Sequence, residues 1–358
     1  MEPLYPFLLP GQDPFYKELK EKVYTYFSEK KISIKASKAM WFKIVFMLSG
    51  MTACYLMILS GYLTKPQMLI TSIALGIFVA GVGCNVAHDA LHGTFSKKKW
   101  INQLLGYSMD LLGSNSYLWK INHNNHHFYT NITGLDGDIR ENSLIRFSPL
   151  HPDKKTYRFQ AVSLFFVYGA FLLLVIWSFN FMHIFRNSSQ TNVPQKHPAK
   201  EIIKLLVLKI VYLFVWIVVP LYFIPLSPGE FIAGYLAMNF TAGYLLAFNF
   251  MAPHNFEEAH YAIPPGKSNT SWAAHQLYTT ANFKTWNKPM EYFIGGLNFQ
   301  IEHHLFPQIC SIHYPRISHI VRATALKYDL PYHEKRNFSS MITSHLKRLN
   351  LNAEIQSD

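Results

Sequence analysis

Residues 68–92 read MLITSIALGIFVAGVGCNVAHDALH. Residues 68–87 carry no charge, and a run of about 18 apolar residues is long enough to cross a bilayer as a helix. His88 and His92 follow at once, four positions apart and therefore on one helix face. Two imidazoles thus stand where a membrane helix ends. This stretch sets the expected class: an all-α integral membrane protein whose chemistry sits at the ends of its spans.

Working outward, an apolar run at about 42–62 precedes the first, across a short turn bearing Lys65 and Pro66, so the two should form a helical hairpin. Further runs lie near 159–179, 203–224 and 231–252, and Pro225 and Pro228 part the last two into a second hairpin. Residues 1–40 are polar and basic, with Phe15, Leu19, Val23 and Phe27 at helical spacing, as in a helix lying at the interface. Residues 253–358 contain no apolar span and should form a cytoplasmic helical cap. The expected organisation is an interfacial N-terminal region over 1–40, a membrane domain over 41–310 and a C-terminal cap over 311–358.

Of the 358 residues 50% are hydrophobic, and the net charge is +12. The basic residues flank the apolar runs and form no compact basic domain. That pattern fits cytoplasmic loops beside anionic lipid and argues against nucleic acid as a partner. Cys54, Cys84 and Cys310 make neither a disulfide framework nor a Cys-x-x-Cys site, and Glu2 and Pro3 do not open a cleavable leader.

Two more histidine clusters follow the first. His123-Asn-Asn-His126-His127 comes after a short amphipathic stretch, and Gln300-Ile-Glu-His303-His304 lies in the cap, with Gln300 in the place of His123. His254 stands just beyond the last apolar run. A lone His-x-x-x-His pair is commonly an accident of packing, but three clusters beside a membrane form a pattern. Imidazole suits iron, copper, zinc and nickel, and no thiolate set competes here. Eight histidines exceed the needs of one ion and suit two. A pair of redox metals reduces oxygen, which zinc and magnesium do not, and iron is the preferred choice.

Topology supplies an independent test. His88 leaves one span and His254 leaves the last, so the chain between His127 and His254 must cross an even number of times for all the ligands to meet. Three runs lie in that interval. The run at 159–179 should therefore be interfacial or re-entrant, leaving four spans. Lys97–Lys99, Lys154, Lys155, Arg158, Arg186 and Lys200 then all fall on the metal-bearing side, which the positive-inside tendency makes cytoplasmic.

At this point the chain resembles the membrane fatty acid desaturase family, and its front-end, linoleoyl-CoA desaturase-like branch in particular. The resemblance covers roughly residues 80–310. It rests on His88–His92, on the run from Trp119 to His127 with Thr130-Asn131 and Asp136-Gly-Asp138, and on residues 295–307, GGLNFQIEHHLFP, in which Gln300 is the branch's mark. The resemblance implies two iron ions held by His88, His92, His123, His126, His127, His303 and His304, with His254 as the extra ligand after the last span. Oxygen would be reduced to water while two vicinal hydrogens leave a long acyl chain. Gln300, Asp89, Asp136, Asp138 and Glu302 would support the ligands from behind, and Trp119 and Trp272 would line an acyl tunnel.

Front-end relatives with a fused cytochrome b5 carry His-Pro-Gly-Gly, whereas His197-Pro198 is followed here by Ala199-Lys200. Electrons should then come from a separate ferredoxin or a cytochrome b5 with its reductase. The substrate would be a CoA thioester or an intact lipid, and the basic surface inclines the reading towards acyl-CoA. Rival readings are a di-iron hydroxylase or alkane monooxygenase, a haem-binding membrane electron carrier, and a zinc protein or metal transporter. The last lacks a charged or histidine pathway within the spans.

Overall fold

The computed structural model describes Phe7 and residues 13–185, 196–263, 270–284 and 288–354; Glu2, Pro3 and Arg186 lie outside them. The helices that matter here are α1 (Pro14–Glu29), α2 (Lys38–Leu59), α3 (Lys65–Leu91), α4 (Ser116–Tyr129), α5 (Lys155–Gly169), α6 (Phe171–Phe185), α7 (Ala199–Phe223), α8 (Pro228–Met251), α9 (Trp272–Thr279), α10 (Gln300–Leu305), α11 (Tyr314–Lys327) and α12 (Phe338–Glu354). Four of them, α2, α3, α7 and α8, are long and apolar enough to cross a membrane.

The expected boundaries shift for local reasons. Thr64 and Gln67 form a capping box with Pro66 in the first turn, and Ser227 and Glu230 do the same ahead of α8. Proline is favoured in a first turn, where its missing N–H has no partner to lose. Pro66 and Pro228 therefore start helices three residues or so before the apolar runs begin. At its other end α3 continues past residue 87 through a π turn, Gly83–Ala87, so that His88 is still helical.

Within the bundle α3 is central, packed on both α2 and α8. Its most apolar stretch is 67% buried, against 22% for α2 and for α7. The run at 159–179 is not one straight helix: α5 and α6 meet at Ala170 with a bend of 69°. Gly243 of α8 lies against the carbonyls of Tyr168 and Gly169, so any side chain there would push the bend off the bundle.

Outside the spans, α1, α9, α10 and α11 share one apolar core, in which Phe15, Leu19, Val23 and Phe27 meet Leu277, Leu305, Ile317 and Val321. The amphipathic pattern of α1 thus serves this core. The C-terminal α12 ties the bent pair to the end of α8, because His345 contacts the Tyr168 hydroxyl through Nε2 and the Asn255 carbonyl through Nδ1, each at 2.8 Å. One small departure from an all-helical chain is the parallel pairing of Asn282–Phe283 with Glu334–Lys335.

Lys209 is a charged residue inside the third apolar helix, and it is buried. Its ammonium donates to the Ile176 carbonyl at 2.6 Å, and also to the Gly113 carbonyl, beneath the Phe181 ring. Removing that donor would take a hydrogen bond from two buried carbonyls, leaving Gly113 only the longer bond from Asn180 at 3.4 Å, at a cost on the order of 1–3 kcal/mol. Lys209→Met is expected to lower the melting temperature of the detergent-solubilised protein by several degrees. An unchanged melting temperature would show that the clamp contributes nothing.

Candidate metal centre

The π turn in α3 adds a residue to one helical turn and so resets the face on which His88 and His92 appear. Such turns recur at functional sites. The turn is also the seat of the third cluster. Asn85 donates to the Phe293 carbonyl at 2.8 Å, and Asn249 of α8 donates to the Ile294 carbonyl at 3.2 Å. Gly295 follows with φ +75, and a Cβ on it would stand 2.8 Å from the Cys84 carbonyl. Only glycine adopts that backbone at that distance. The chain thus crosses the end of α3 before α10 presents His303 and His304.

All eight histidines singled out by the sequence meet at this junction. His88, His92, His123 and His303 bring ring nitrogens within 4.8 Å of one another, as do His126, His254 and His304. His127, His303 and His304 form a third such set that joins the other two. Five ring nitrogens are buried with no hydrogen-bond partner: Nε2 of His88, His92, His303 and His304, and Nδ1 of His127. An unpartnered polar atom in a protein interior is costly, and so many in one place form a donor set that could hold metal.

Protonation agrees with that donor set. Burial, reinforced by neighbouring imidazoles, pushes His92, His123, His127, His303 and His304 well below the usual histidine range, and burial beside His126 does the same to His254. These rings are therefore neutral, the form that binds a metal. His126 differs. Burial opposes its charge, but the carboxylates of Asp136 and Asp138 outweigh burial and raise it to about 9.

Partners behind the rings fix their orientation. His126 Nδ1 lies 3.0 Å from Asp136 Oδ1, with Asp138 at 3.4 Å, which turns Nε2 towards His254. Asp136 also accepts from the Asn131 N–H at 2.8 Å. Asn131 adopts φ +57, a left-handed conformation that asparagine tolerates, and its side chain donates to the His254 carbonyl at 2.7 Å. Asp89 sits 3.3 Å from His88 Nδ1 and accepts from the N–H and hydroxyl of Ser311. Gln300 is buried and hydrogen-bonded to His254.

One expected support is placed otherwise. The Glu302 carboxylate accepts from Asn282 and the Tyr332 hydroxyl, each at 2.8 Å, and faces away from the imidazoles. Burial raises it to about 7. Neighbouring helix positions point roughly 100° apart, and here the carboxylate turns to Asn282 and Tyr332 and not to His303. Trp119 stacks on His123 with ring centroids 4.2 Å apart, and Trp272 donates to the His127 carbonyl at 3.1 Å.

Two supports had no motif to announce them. Gln276 of α9 accepts from His304 Nδ1 at 2.8 Å and from the Thr130 hydroxyl at 3.0 Å, and Tyr314 stands 3.2 Å from His303 Nδ1.

Four apolar helices around two joined imidazole clusters define a multi-pass membrane protein built on a candidate metal pair. Residues 64–336 match the family model described as fatty acid desaturase, and the chain belongs to that family. It is 32% identical over 341 residues to the acyl-lipid (8-3)-desaturase of Physcomitrium patens, covering 94% of this chain and 71% of the relative. It is 31% identical to the sn-1 linoleoyl-lipid 6-desaturases of Arthrospira platensis and Synechocystis, which it matches over 94% of their lengths. The chain is thus an oxidoreductase that desaturates fatty acyl groups, as the histidine motifs implied.

Asp136 offers a direct test. Its replacement by Asn removes the charge behind His126 and is expected to lower metal affinity 10- to 100-fold. Metal content of the purified variant, measured by plasma mass spectrometry at graded chelator concentrations, reads the change. Retention equal to the parent would mean that His126 needs no such support.

Proposed function

We propose that the chain is a front-end acyl-lipid desaturase holding two iron ions. His88, His92, His123 and His303 are assigned to one ion, His126, His254 and His304 to the other, and His127 to the junction. The convergence of four separate chain segments on these two clusters is the observation that carries the reading. Two iron ions would supply the oxygen-activating redox chemistry needed to take two hydrogens from unactivated methylenes.

The protein's own part is orientation and exclusion of water. Asp89, Asp136, Gln276 and Tyr314 hold Nδ1 of four rings and leave Nε2 free for metal. Gln300, hydrogen-bonded to His254, is assigned a supporting role and no bond to metal. Asp138 assists at His126, whereas Glu302 is assigned to packing of the cap. Trp119 and Trp272 close two sides of the first cluster, where an acyl chain would pass.

The relatives' names shift the acyl carrier from CoA to an intact glycerolipid, and their regiochemistry favours insertion on the carboxyl side of an existing double bond. We place the clusters on the cytoplasmic side, with α2–α3 and α7–α8 as hairpins and the bent α5–α6 pair as a re-entrant element. The bend supports this assignment, and so does the requirement that His127 and His254 share a face.

Expression in cells supplied with linoleate is expected to yield a new polyunsaturated acid that is lost in a His303→Ala, His304→Ala variant, read by gas chromatography of total fatty acids. A hydroxy acid in its place would overturn the desaturase reading.

A further inference from the structure

Resting on the desaturase reading, the reaction needs a reductant: R–CH2–CH2–R′ + O2 + 2 e⁻ + 2 H⁺ gives R–CH=CH–R′ + 2 H2O. A one-electron carrier must therefore dock twice per turnover, close to the clustered imidazoles. Most of the eight rings are sealed. His88, His126, His127, His254, His303 and His304 are buried, and only His92 and His123, both in the first cluster, are half-buried.

Over that edge lies a shallow depression of about 180 Å³, lined by His92, Asn124, His127, Phe128, Trp272 and Pro307. Its lining includes aromatic surface, and lysines lie near it. On one side the Lys20 ammonium lies 4.7 Å from the Tyr16 ring, and Tyr16 packs edge-on against Trp272 at 5.5 Å. Lys120 is exposed one turn before Asn124 on α4.

On the α4 side the flanking sequence is one-sided, whereas α1 carries Glu18, Glu21 and Glu29 beside Lys17, Lys20 and Lys22. From residue 66 to residue 135 the only acids are Asp89 and Asp110, each 2% exposed, whereas Lys97, Lys98, Lys99 and Lys120 all face solvent. A surface with this sign attracts an acidic partner and repels a basic one. Trp272 and Phe128 supply the aromatic centre that protein interfaces favour.

We infer that the depression over His92 and His127, rimmed by Lys20 and Lys120, is the docking surface for a separate acidic one-electron carrier protein. Electrons then enter through the first cluster, His92 being the ring that both reaches solvent and lines the depression.

The test uses the metal-loaded, full-length protein in nanodiscs of zwitterionic lipid. Two soluble probes, a plant-type [2Fe–2S] ferredoxin and the haem domain of cytochrome b5, are titrated in separate arms by biolayer interferometry. Lys20→Glu with Lys120→Glu is expected to weaken binding of the preferred carrier by on the order of tenfold or more at low salt. Lys20→Gln with Lys120→Gln should weaken it less and serves if the charge reversal fails to fold. The difference from the parent should shrink at high salt.

Binding that moves less than twofold for both carriers, or no binding of either to the parent, overturns the proposal. So does a variant that loses affinity for anionic vesicles while keeping its carriers, since the lysines would then face lipid. Desaturation driven by dithionite with a small mediator separates the two claims. If the reversed variant keeps this activity, only docking has been lost. If the parent shows none, the desaturase reading fails while the binding result still judges the surface.

Discussion

Eight imidazoles crowded into one water-poor junction set the constraint on which the rest of the structure depends. Burial and mutual repulsion keep most of the rings neutral, and several ring nitrogens find no proton to accept or donate. Such an arrangement is unfavourable in itself. It persists because the surrounding structure holds it and because an ion would repay the desolvation. The supports are therefore polar and specific: Asp136, Asp89, Gln276, Tyr314 and Asn131 each fill a position that an apolar side chain would leave floppy or unsatisfied.

The same constraint explains the bundle. His88 and His254 belong to the ends of α3 and α8, the two helices packed most closely together, so the clusters rest on the most rigid pair of spans. The π turn of α3, the Asn85 and Asn249 bonds and the Gly295 crossing then fasten α10 to that pair. A site within a few tenths of an ångström of a working geometry needs such anchoring to rigid elements. Lys209 and Gly243 serve it at a distance, by seating the bent α5–α6 pair against the bundle.

Much of this was legible in the chain because the signals are local. Apolar runs reveal spans by length, and a histidine at i and i+4 reveals a shared helix face. The third cluster reads from Gln300-x-x-His303-His304 in the same way. Long-range partners have no such signature. Gln276 and Tyr314 meet their histidines only through tertiary packing, and nothing in the residues around them marks the role. Glu302 shows that adjacency in sequence does not fix a contact: its carboxylate meets Asn282 and Tyr332, whereas Asp89 does reach the neighbouring His88. The prolines at residues 66 and 228 read as breaks although they serve as first-turn residues, which moved the span boundaries.

The two clusters are not equivalent, and the difference has a direction. The first has four imidazoles, three of them (His88, His92 and His123) beside the Trp119 ring, and two of the four reach the surface. The second is wholly buried, with three imidazoles, the His254–Gln300 hydrogen bond and His126, whose proton affinity Asp136 and Asp138 raise. A carboxylate behind an imidazole strengthens it as a donor, and each cluster has one, Asp89 at His88 and Asp136 at His126, so what sets the deeper position apart is its shielding from water. The shallow position is the one an external protein can approach.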